Sequence, residues 1–176
     1  MKAGSRPVVA RVSAARYRVY QFFRSILVRQ LSPADHDLIA ATLPPRGRTV
    51  FYAMSRNDQR HSVTVCRALL DQGHHDPDLL AAALLHDSGK GGGRVPLWVR
   101  PPVVLLRALA PGALCWLARE PGPWYRRPFF HAWRHAEIGA DLAAKAGLSP
   151  ATVEIIRTHH DPNGPAAVLH AVDDAV

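Results

Sequence analysis

The 176-residue chain predicts an all-α fold, a compact multi-helix bundle, on three observations. Apolar residues recur about one helical turn apart along most of its length. The stretches with that spacing open on Ser, Asp or Pro and close on Gly or Pro. Nothing alternates convincingly at period two, and there is no internal repeat. The hydrophobic share of 48% against 20% charged residues speaks for a buried core and against disorder. The length suits a single domain with a sizeable interior.

In chain order, residues 8–31 space Val12, Tyr17, Tyr20, Phe23 and Leu27 about a turn apart, which predicts an amphipathic helix. "SPADHDLIAATLPP" (32–45) predicts a short helix capped by Ser32, with Pro33 in its first turn and Pro44-Pro45 as the stop. Together these make residues 1–49 a basic helical extension ahead of a domain over 50–176. "SRNDQRHSVTVCRALLDQG" (55–73) opens with Ser55 three before Asp58, a capping-box pattern, and closes at Gly73. "DPDLLAAALLHDSGKGGG" (76–93) has Asp76 as cap, Pro77 in the first turn and Gly89 just past the end. Its middle is apolar all round, the mark of a helix buried on most sides.

Residues 91–130 read as an insertion. They are punctuated by Gly and Pro and rich in Arg and Trp, with one helical piece near 102–118. Regular helices return in "RHAEIGADLAAKAG" (134–147), "SPATVEIIRTHHDP" (149–162) and "GPAAVLHAVDDAV" (164–176).

Cys66 and Cys115 have no motif spacing, so a disulfide framework is not expected and a reducing, cytoplasmic setting is. Arginines interrupt every candidate signal core in the first 30 residues, and the apolar run "ALAPGALCWLA" is too short to span a bilayer. The net charge is +8. Lys2, Arg6, Arg11, Arg16, Arg18, Arg24 and Arg29 all precede the first acid, Asp35. Such a field is either a solvated face or an attraction for anions: phosphorylated small molecules, nucleic acid or acidic lipid.

Within the helices, polar residues fall on apolar stripes. His61 lines up with Val65, Ala68 and Leu69, and His135 with Ile138, Gly139, Leu142 and Ala146. His86 and Asp87 end the most apolar helix. His159 and His160 follow Ile155 and Ile156 at i+4, and Asp173 lies a turn past Leu169. Five helices thus deliver His61, His86, Asp87, His135, His159, His160 and Asp173 toward one interior. An unpaired buried charge is costly, and a mixture of imidazole and carboxylate suits Fe, Mn, Ni or Zn. Seven ligands suit two ions sharing a carboxylate. Asp174 competes with Asp173, and His131, one turn before His135, competes with it.

The order of His61, then "HDSGK" (86–90), then a later Asp resembles the HD-domain metal-dependent phosphohydrolases, over about residues 50–176. That resemblance implies one ion held by His61, His86, Asp87 and Asp173. The binuclear branch, which includes HD-GYP-type phosphodiesterases, adds a His-x-x-x-Gly pattern and adjacent histidines. "HAEIG" (135–139) and "THHDP" (158–162) match both, implying His135, His159 and His160 around a second ion with Asp87 bridging. The Gly-Tyr-Pro segment of that group is replaced here by "DPNGP".

The implied activity is hydrolysis of a phosphate ester or anhydride, in a nucleotide or another small molecule, by hydroxide activated between two divalent ions. Asp87 and Lys90 are then the catalytic pair, and Lys90 matches the lysine associated with phosphate in the family. Arg60, Arg94 and Arg126 are further phosphate candidates. The 91–130 segment is either a lid over the site or packing and a homo-oligomer surface. Two other classes share these features: a diiron oxygenase of the HD type, as in myo-inositol oxygenase, and a non-catalytic signalling or nucleic-acid-binding HD module.

Overall fold

The computed structural model describes residues 30–91, 100–119, 123 and 126–176; the helix expected over 8–31 and the phosphate candidate Arg94 lie outside these. The described residues are helical and contain no strand. The helices are α1 (Pro33–Thr42), α2 (Pro45–Tyr52), α3 (Arg56–Asp71), α4 (Pro77–Leu85), a 3-10 turn (Ser88–Lys90), α5 (Arg100–Leu109), α6 (Pro111–Leu117), α7 (Arg127–Lys145), α8 (Pro150–Thr158) and α9 (Ala167–Ala175). They pack into one all-α bundle.

The caps act where the sequence places them. The Ser32 hydroxyl accepts from the Asp35 amide while the Asp35 carboxylate accepts from the Ser32 amide, a reciprocal box at the start of α1. Ser55, Asp76 and Ser149 each cap their helix through one side-chain oxygen. Pro33, Pro45, Pro77 and Pro150 stand at the first helical position, where no amide proton is needed. The same property explains a departure. Pro44-Pro45 stops α1 and also opens α2, a helix the sequence reading passes over. The single piece expected near 102–118 is two helices broken at Ala110, with Pro111 starting the second. Helix α7 begins at Arg127, earlier than "RHAEIGADLAAKAG" indicates.

The core is built around α4. Every residue from Leu79 to Leu85 is buried, and α3, α8, α1 and α2 pack around it. Leu84 and Leu85 are fully enclosed, and each contributes roughly 2 kcal/mol of burial. Helix α9 packs on α3, and α7 packs on α8 and across the 3-10 turn. A smaller outer core of Val103, Leu114 and Ala132, flanked by Leu106 and Phe129, joins α5 and α6 to α7. Asp35 ties α1 to α3 by accepting from Arg60 (3.0 Å) and Arg67 (2.8 Å).

One close approach positions everything that follows. A Cβ on Gly89 would lie 1.9 Å from the His135 carbonyl oxygen and 2.6 Å from the Gly139 amide nitrogen. A Cβ on Gly139 would meet Ser88 Oγ at 3.1 Å and the Gly89 nitrogen at 3.3 Å. Two glycines therefore let the turn after α4 lie directly on the α7 backbone. The glycine of "HDSGK" and that of "HAEIG" are the two halves of one contact.

Candidate metal centre

Helix α4 ends at Leu85 with His86 as its C-cap, and the chain then tightens into the 3-10 turn, which leaves His86 and Asp87 at the buried end of the core helix. His86, Asp87, His135 and His159 are all under 5% exposed. His61, from α3, and Asp173, from α9, approach from one side, and the exposed His160 from the other. The seven residues singled out in the sequence are thus brought together.

Three of the imidazoles share one arrangement. His86 Nδ1 donates to the Ala83 carbonyl (2.9 Å), His135 Nδ1 to Ala132 (2.7 Å) and His159 Nδ1 to Ile156 (2.7 Å). A carbonyl only accepts, so each Nδ1 carries a proton. In the neutral ring the Nε2 lone pair is then left for a ligand, and the backbone contact fixes the ring's aim. All three carbonyls are at i−3, so the helix geometry sets the tautomer.

The Nε2 atoms and carboxylates form two groups. His61, His86 and Asp87 make one, and His135, His159 and His160 the other; within each, ligand atoms lie within 4.8 Å of one another. Asp173 Oδ1 joins the first group, 2.7 Å from His61 Nε2 and 3.5 Å from His86 Nε2. Asp87 Oδ1 stands between the groups, 3.7 Å from His86 Nε2 and 3.8 Å from His135 Nε2. Two atoms each ~2.1 Å from one ion are ~3.0 Å apart at a right angle and ~4.2 Å apart across it. These separations lie in or close to that range.

The electrostatics point the same way. Burial pushes the Asp87 carboxyl up, but Lys90 and the surrounding imidazoles outweigh it and hold the group well below the usual range. Lys90 Nζ sits 2.5 Å from Asp87 Oδ2. Asp173 is also pushed up by burial and held well below its ordinary value by hydrogen bonding to His61 and the charge of His86. Burial drives His159 down to about 4, and burial with the Lys90 charge drives His135 well down too, so both are neutral near pH 7. His86 behaves oppositely. Burial lowers it, but the charges of Asp87 and Asp173 prevail and raise it to about 9.

That proton is badly housed. At 3.5 and 3.7 Å the carboxylates attract it without forming good hydrogen bonds, and His86 Nε2, like His159 Nε2, is buried with no hydrogen-bond partner. Buried polar atoms without partners are uncommon in a core and call for an explanation. A cation among them supplies one, and the buried His/Asp clusters can hold a metal ion. Cys66 is not part of this chemistry: it is buried in the core, and burial raises its thiol to about 11.

The remaining candidates fall elsewhere. Arg60, expected as a phosphate contact, has its guanidinium on Asp35. Arg126 donates from Nε to the Leu117 carbonyl (3.1 Å) and lies over the Trp116 ring at 4.4 Å, so it joins the end of α6 to the start of α7. Asp173 faces His61, whereas Asp174 lies 3.9 Å from His170 on the exposed side. The His131 ring packs edge-on to Phe130, and His135 is the one that joins the cluster. Sequence reasoning missed the Asp35 clamp, whose partners are 25 and 32 residues away, and the glycine contact beneath the site.

Compared with protein-family models, with curated proteins and with solved structures, the chain finds no match.

Proposed function

We propose that the chain is a metal-dependent phosphohydrolase with two divalent ions, of the HD-domain kind its sequence resembles. The observation that carries this reading is the placement of Asp87. One of its oxygens faces both histidine groups, and the other is held by Lys90. His61, His86, Asp87 and Asp173 would hold one ion, and His135, His159, His160 and Asp87 the other. Bound there, the ions would supply Lewis acidity toward phosphoryl oxygens and acidify a water.

The chain's own residues do the rest. The backbone carbonyls at positions 83, 132 and 156 keep three Nε2 atoms aimed inward. Lys90, one-quarter exposed, offers a cation beside Asp87 to a phosphoryl oxygen. The exposed His160 borders, with Arg157, Thr158 and Asp161, a shallow surface depression.

The test is phosphate release from a panel of nucleotides and small mono- and diesters by protein reconstituted with Mn, Fe, Ni or Zn. Turnover of at least one ester, abolished in Asp87→Ala, supports the proposal. Oxygen uptake by the iron form without phosphate release refutes it in favour of oxygenase chemistry.

A further inference from the structure

Helices α5 and α6 carry a feature that hydrolysis does not use. Val103 and Leu106 of α5 and Leu114 of α6 turn into the outer core. Leu105 and Leu109, one turn apart on α5, are 53% and 65% exposed, and Trp116 of α6 is 58% exposed. Single exposed leucines are ordinary, but three large apolar side chains on one short helical hairpin mark a surface with a partner.

The charge of their own stretch of sequence indicates which partner. Residues 91–130 contain six arginines and one acid, Glu120. Exposed Arg119 stands two residues past the end of α6, whereas Arg126 is turned inward onto the Leu117 carbonyl and the Trp116 ring. Leucine, tryptophan and arginine together are the composition of a surface that lies in the headgroup region of an anionic bilayer. A nucleic acid would answer the arginines but offers no apolar phase to Leu105 and Leu109. Among the described residues no helix is long and apolar enough to cross a membrane, so the association is peripheral.

We propose that the α5–α6 hairpin docks on an anionic lipid surface, with Leu105, Leu109 and Trp116 entering the interface and Arg119 meeting the headgroups. This does not depend on the phosphohydrolase reading.

The test is sedimentation of the full chain with vesicles of phosphatidylcholine alone, or mixed equally with phosphatidylglycerol. Uptake is expected on the mixed vesicles and should weaken with salt. Leu105→Ser/Leu109→Ser should weaken it by roughly tenfold or more with little change in the melting curve, since each side chain is already more than half exposed. Three results would each overturn the proposal. These are no uptake on the mixed vesicles, uptake unaffected by the double substitution, and a dimer that the double substitution dissociates without any vesicle binding. Binding to duplex DNA or RNA in place of vesicles would overturn it too.

Discussion

Replacing Gly89 by Ala probes the contact on which the candidate site is built. The added Cβ would sit 1.9 Å from the His135 carbonyl oxygen and 2.6 Å from the Gly139 nitrogen. Both are backbone atoms, so no side chain can swing away. The turn and α7 must part by about 1.5 Å to restore ordinary contact. Asp87 Oδ1 and His135 Nε2, now 3.8 Å apart, would then be carried past the ~4.2 Å that two ligands of one ion can span. Overpacking a core costs about 1–3 kcal/mol when side chains can adjust, and this case belongs at the upper end or beyond. At about 2–4 °C per kcal/mol for a chain of this size, Tm should fall by roughly 6–12 °C. Differential scanning fluorimetry, paired with metal content per chain, reads both consequences. Gly147→Ala is the control: its φ of +81° strains an alanine, but nothing lies within 4 Å of the new Cβ. It should cost about 1 kcal/mol and leave the metal in place. A Gly89→Ala protein that melts within about 2 °C of the parent and keeps its metal would refute the reasoning.

Three further outcomes follow from the same geometry. Lys90→Ala should lower kcat/KM on a hydrolysed ester by about 10- to 100-fold while metal content holds, because the Asp87 oxygen released from Lys90 stays available; loss of metal would contradict that role. Asp173→Asn should weaken metal binding and Asp174→Asn should not, since only the first faces His61 and His86; elemental analysis of the two variants decides it. Metal affinity should climb with pH up to about 9, where His86 loses its proton, by close to tenfold per unit. His135 and His159 are already neutral and release none. In the metal-free chain the raised His86 value means the opposite trend. Its protonation stabilises the fold fully below the unfolded value near 6.5, and that contribution is lost as pH rises through about 9. Competition titrations at pH 6, 7 and 8 would expose a flat profile if the proton is not displaced.

Much of the fold was legible because helix ends carry local chemistry. Ser32, Ser55, Asp76 and Ser149 cap where they stand, and a proline at the first position needs no tertiary partner to be read. The convergence of seven polar residues was legible because apolar stripes fix which way a helix turns. Proline is ambiguous where it is doubled: Pro44 ends one helix and Pro45 starts another, so α2 went unseen. Long-range contacts leave no local trace. Arg60 stands next to His61 in sequence, yet its charge is held by Asp35, 25 residues earlier. Gly89 read as a helix stop, but what requires it is the α7 backbone, 46 residues from its position at the nearest. The i−3 carbonyls that fix three imidazoles depend on χ angles, which spacing does not reveal.

The central claim is that the two histidine groups, joined by Asp87, hold two ions. Its most direct test is elemental analysis of untagged protein, reconstituted anaerobically with Fe, Mn, Ni or Zn and freed of excess metal. The account expects about two ions per chain, falling to about one in His135→Ala/His159→Ala with the fold retained. A chain that takes up no metal under any of these conditions, or whose uptake is indifferent to Asp87→Ala, would contradict it.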